Sequence, residues 1–168
     1  MFTEALIHFT TWLTGGRLNI AIASHSWVVP ALQTVHILSV AIVLAGVLLI
    51  NLRVAGWAER SQSIPAVLDR FLGPITIAVA VLLITGLLQI VGEPNRAIFR
   101  SIFWIKMALL LAAFALTWSH RPAFTHAGGA RVGIGRKALA IAALLLWVAV
   151  IVAGRWIAYA DAWAGAPS

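Results

Sequence analysis

Three ionisable side chains sit inside stretches that are otherwise almost wholly apolar: His36 in PALQTVHILSVAIVLAGVLLINLR, Lys106 in SIFWIKMALLLAAFALTW and Arg155 in ALLLWVAVIVAGRWIAY. In hydrocarbon such groups cost several kcal/mol unless they face a partner, a ligand or water. At helical spacing Gln33 and His36 lie about 60° apart and Asn51 returns to the bearing of Gln33, so one stripe carries all three. Arg155 and Tyr159 form an i, i+4 pair, as do Thr85 and Gln89. A histidine beside two cations suits haem or quinone chemistry. His36 would be an axial ligand, and the metal ligand only if the iron is haem iron, or it would donate to a quinone oxygen, with Lys106 and Arg155 holding propionates or an oxygen anion. The plainer alternatives are an interhelical hydrogen bond for His36 and snorkelling to headgroups for Lys106 and Arg155.

Depth limits the haem version. Counting about 1.5 Å per residue, His36 and His120 differ by roughly 15 Å along the membrane normal, so they cannot ligate one haem from opposite faces. His25 lies three turns above His36 on its own side, which leaves His8 as the second ligand open to geometry. The expected cofactor pocket is therefore Gln33, His36, Lys106 and Arg155, closed above by Gln89, Tyr159 and His8. A second polar group, Asn51, Arg53, His120 and Arg121, should gather at the opposite ends of the helices. His25 and His126 fall in connections, where a solvated role suffices.

These residues must be positioned by four apolar stretches, Val28–Leu52, Phe71–Val91, Ile102–Trp118 and Ala138–Ala158. Each approaches the roughly 20 residues a helix needs to cross about 30 Å of hydrocarbon. With 62% hydrophobic and 10% charged residues among 168, a water-soluble fold has too little polar surface. The expectation is an all-α, transmembrane, antiparallel four-helix bundle with an N-terminal interfacial amphipathic helix. Its divisions are an interfacial segment over residues 1–26, the bundle over 27–161 and a short tail over 162–168. Phe2, Ala5, Leu6, Phe9, Trp12 and Leu13 repeat with helical period and Gly15–Gly16 ends them. Pro30 is expected in the first turn of span one, and Pro74 in the same position of span two. Six of the eight tryptophans cluster at span ends, as indoles do at headgroup depth.

The net charge of +7 serves orientation rather than nucleic acid. Arg53, Arg60, Arg70, Arg121, Arg131, Arg136 and Lys137 fall on one side, which makes it cytoplasmic and puts both termini on the periplasmic side of a bacterial inner membrane. The start of the chain lacks a basic leader and cleavage site. Cysteine is absent, so thiolate metal sites and thioether-linked haem are excluded. HExxH, serine-elbow and phosphate-loop motifs are missing as well. Glu4, Glu59, Asp69, Glu93 and Asp161 all lie outside the expected spans, which argues against a hydrolase and against a proton-coupled transporter.

In the order PALQTVHILSVAIVLAGVLLINLRVAGW, IFWIKMALLLAAFALTWSHR and VAGRWIAY, the chain resembles an uncharacterised bacterial four-helix membrane family, a domain of unknown function. The resemblance covers nearly the whole chain. It implies matched positions at His36, Arg53, Lys106, His120, Arg121, Gly154, Arg155 and Tyr159. Gln33 stands where that family has Glu, and Asn51 where it has Asp, so two membrane-depth acids are neutral here. The resemblance implies a fold and brings no agreed activity.

The functional expectation is a small inner-membrane subunit associated with redox chemistry, holding haem b or quinone in an outer-leaflet pocket. Its partners would be the lipid bilayer and another membrane or periplasmic protein subunit. A cofactor-free structural or accessory subunit is the alternative. A metal or small-solute permease is disfavoured because Val43 and Val47 plug the path toward Asn51. Catalytic turnover is left open.

Overall fold

A computed structural model describes residues 2–58, 61–119, 133–157 and 159–160 of the chain. Among them there is no strand. The helices are α1 (Phe2–Thr14), α2 (Arg17–Ala23), α3 (Val28–Ala55), α4 (Ile64–Gly92), α5 (Pro94–Ile98), α6 (Ser101–Ser119) and α7 (Ile134–Trp156). Three of them, α3, α4 and α7, are long and apolar enough to cross a membrane. The fourth bundle helix, α6, has a shorter apolar run, Ser101–Leu116.

Local chemistry explains the boundaries. Gly56 closes α3 in the left-handed conformation, φ +81°, and the N–H groups of Gly56 and Trp57 bond back to the carbonyls of Arg53 and Leu52. Ser63 opens α4, its hydroxyl accepting from the Ala66 N–H at 3.3 Å, with a proline in the first turn. This start corrects the expectation for Pro74, which lies inside α4 rather than in its first turn. A capped start at Ser63 lets the helix run on through the polar residues Asp69 and Arg70 before it becomes apolar, so Pro74 costs one interior hydrogen bond. At the far end of α4, Asn19 of α2 donates Nδ2–H to the Val91 carbonyl at 2.7 Å and lies 3.3 Å from that of Gly92. It thereby satisfies carbonyls that a helix end leaves orphaned.

α3 packs against α4 and α7, and α7 against α6, while α4 and α6 make no close backbone contact among the described residues. His36 meets Thr85 and Gly46 meets Ile75, which makes α3 and α4 antiparallel. Lys106 meets Gly154 and Phe114 meets Trp147, which does the same for α6 and α7. One apolar core, Val43, Val47, Ala78, Ala113, Trp147 and Val150, draws on all four helices. Ile75 lies directly over Gly46, where an added Cβ would come within 2.6 Å of its Cδ1; the small residue sets how closely α3 and α4 approach.

α1, α2 and α5 gather at the end of the bundle where α3 begins and α4 ends. Thr10 of α1 is buried, whereas Phe9 and Trp12 are exposed and stacked with ring centroids 6.2 Å apart. At the same end the Arg100 guanidinium donates to the Ile157 carbonyl, tying the start of α6 to the end of α7. Trp104 Nε1–H donates to the Ile98 carbonyl at 3.0 Å, tying α6 to α5.

Candidate functional site

His36 shares a face of α3 with the buried Ser39 and Val43, three and seven residues on, so the helical period turns it inward. Thr85 of α4 is buried one heptad beyond the core residue Ala78. On α6, Lys106 stands one heptad before Ala113, which is wholly buried. Counted from the capped ends of their helices, His36, Thr85 and Lys106 lie about 12, 10 and 8 Å deep, which is close to one level.

His36 Nδ1 lies 2.8 Å from Thr85 Oγ1, and that hydroxyl lies 2.7 Å from the Val81 carbonyl. Both contacts are hydrogen bonds at once only when the single hydroxyl proton goes to the Val81 carbonyl and Thr85 accepts the Nδ1–H of His36. The hydrogen bond fixes the ring and its tautomer: Nδ1 is the donor, and in the neutral ring Nε2 is an open acceptor.

The stem of Lys106 crosses Gly154 of α7, where a Cβ would stand 3.4 Å from Lys106 Cε and 3.6 Å from Nζ. Among the described residues Lys106 has no ion-pair or hydrogen-bond partner. Gly86 faces the imidazole from α4; a Cβ there would meet Cε1 at 3.5 Å. One turn beyond Thr85, Gln89 Nε2 is buried without a hydrogen-bond partner among the described residues. The site thus offers one lone-pair acceptor, one cationic donor and a nearby amide donor, all on helices rather than loops.

Gln33 is half-buried one turn from His36 on the capped side. Arg155 is exposed, its Nη2 3.3 Å from the Tyr159 hydroxyl and its guanidinium 5.6 Å from that ring's centroid. Tyr159 is 72% exposed, so the pair is turned outward from the His36 level. His8 is exposed on α1, and His25 is exposed with its Nδ1 2.9 Å from Ser24 Oγ. No group of three or more His, Cys, Asp or Glu suited to a metal ion occurs among the described residues.

At the opposite end Asn51 is buried and returns Nδ2–H to the Val47 carbonyl of its own helix at 2.8 Å, while Arg53 Nε donates to the Gln62 carbonyl at 2.8 Å. His120 and Arg121 lie outside the described residues. Lys137 reaches this end, its Nζ 3.9 Å from where a Gly56 Cβ would be, near the carbonyl end of α3.

The family of unknown function DUF6644 matches residues 21–160. The chain belongs to that family. No curated protein and no solved structure matches it. Within this DUF6644 protein, every residue of the His36 site falls in the matched region, whereas α1 with His8 precedes it. Sequence reasoning noted Thr85 without assigning it to the pocket, and it did not find Gly86. A hydroxyl residue and a glycine adjacent to each other in mid-span were the available signal, because such pairs admit a bulky polar side chain from a neighbouring helix.

Proposed function

We propose that this DUF6644 protein is a small membrane subunit that holds the head group of a lipid-soluble quinone between His36 and Lys106. The observation that carries the reading is the fixed imidazole: with Nδ1–H committed to Thr85, Nε2 is free to accept from a hydroxyl. The Lys106 ammonium, without a described partner, suits a carbonyl oxygen. In the hydroquinone one hydroxyl donates to Nε2, and the oxygen across the ring accepts from the Lys106 ammonium. Haem b fits less well, because one described imidazole faces the site and His8 and His25 are exposed. Docking against a larger redox partner, and a periplasmic-facing site in a bacterial inner membrane, belong to the same proposal.

The test is purified protein in lipid nanodiscs, titrated under a reductant with a short-chain benzohydroquinone and followed by quenching of tryptophan fluorescence. Binding that weakens at least tenfold in both His36→Leu and Lys106→Met supports the reading. A Soret band that disappears in His36→Leu would overturn it in favour of haem. A colourless protein that binds no quinone would overturn it in favour of a structural subunit. That second reading draws on the His36–Thr85 bond itself, which joins α3 to α4.

A further inference from the structure

Two buried side-chain atoms have no hydrogen-bond partner among the described residues, and Gln89 Nε2 is the donor of the two. The other, Asn95 Oδ1, is an acceptor on α5, past the end of α4. A buried amide N–H left unpaired works against folding, so its position calls for an acceptor that the described residues do not supply.

The register of α3 and α4 puts that donor beside the imidazole. Along their seam Gly46 meets Ile75, His36 meets Thr85 and Gly86, and Val29 meets Gly92. Gln89 falls between Gly86 and Gly92 on the same stripe of α4, and therefore faces α3 one turn to the capped side of His36. Helical side chains lean toward the N-terminus of their own helix. Because α3 and α4 are antiparallel, Gln89 leans back over the turn of Thr85 and Gly86 while His36 leans toward Gln89. Gly86 has no side chain to stand between them, and a Cβ there would already meet His36 Cε1 at 3.5 Å.

Resting on the proposed quinone site, we infer that Gln89 reads the ring substituent next to the hydroxyl held at His36 Nε2. Its amide N–H donates to an ether oxygen there, which selects a methoxy-substituted benzoquinone over one bearing only alkyl groups. An alkyl substituent offers no acceptor. It leaves the amide buried and unpaired, which is how a polar site rejects an analogue lacking the matching group.

The probes are a dimethoxy-substituted benzohydroquinone and its tetramethyl counterpart, each titrated under a reductant into the protein in nanodiscs. Gln89→Met keeps the side-chain length and removes the donor. The unsubstituted protein is expected to bind the dimethoxy compound at least about tenfold more tightly than the tetramethyl one. Gln89→Met should lose that preference through the dimethoxy compound alone, with the tetramethyl compound bound as before. Equal affinity of the unsubstituted protein for both, a comparison that needs no variant, would overturn the substituent contact and leave the head-group site standing. A preference that persists in Gln89→Met, or an equal loss of both compounds, would overturn it by returning Gln89 to a packing role. Failure of the unsubstituted protein to bind either compound would remove the site and the contact together.

Discussion

The two halves of the bundle hold their helices together by different means. Away from the cap, Val43, Val47, Ala78, Ala113 and Trp147 pack as one apolar cluster that extends to Val150 near the level of His36. In the capped half, α3 meets α4 through a histidine–threonine hydrogen bond, and α6 meets α7 through a lysine laid over a glycine. A membrane protein gains stability from close packing, and an interhelical hydrogen bond averages only about 0.6 kcal/mol. A cation at membrane depth works against folding unless something compensates it. The comparison assigns stability to the apolar half, and the proposed ligand site is in the polar one.

The largest test of that division is Trp147→Ala. Truncating a buried tryptophan leaves a cavity and should cost roughly 3 kcal/mol, measured by reversible unfolding in mixed micelles. A change below about 1 kcal/mol would mean that the apolar half is not the stabilising one. Next is Gly46→Leu, where even the Cβ would lie 2.6 Å from Ile75 Cδ1, so α3 and α4 must separate. Overpacking of this kind costs about 1–3 kcal/mol and should lower the unfolding midpoint. Gly86→Ala meets its nearest neighbour at 3.5 Å, an ordinary contact, and should leave that midpoint unmoved while crowding His36.

Asn19→Ala tests the cap. It leaves the Val91 and Gly92 carbonyls without their donor and should cost about 1 kcal/mol locally. Hydrogen exchange should quicken over α1 and α2 while α3 and α7 keep their protection; uniform acceleration would show the cap to be part of the global folding unit. A smaller effect on stability than that of Asn19→Ala is expected for Thr85→Val, which keeps the side-chain shape and removes the acceptor for His36 Nδ1–H. Unfolding should change by only about 0.6 kcal/mol. Quinone affinity should nevertheless fall at least tenfold, because the ring loses its orientation. Equal affinity in Thr85→Val would separate the hydrogen bond from binding and return it to a packing role.

The sequence by itself determined the class of the protein, since long apolar runs without charge can satisfy their backbone in lipid only as helices. It also determined that His36 and Lys106 are exceptional, because the cost of an ionisable group at depth does not depend on which helix it faces. Only the tertiary structure decided which polar groups meet. Lys106 turned inward over Gly154 while Arg155, one residue beyond that glycine, turned outward to Tyr159; Thr85 rather than Gln33 became the described partner of His36. The physical reason is that lipid and core are equally apolar, so α3, α4 and α6 show almost no hydrophobic face from which to read their rotation. Rotation about each helix axis is set by where small residues such as Gly46 and Gly154 let neighbours approach, and that pairing exists only once the helices have packed.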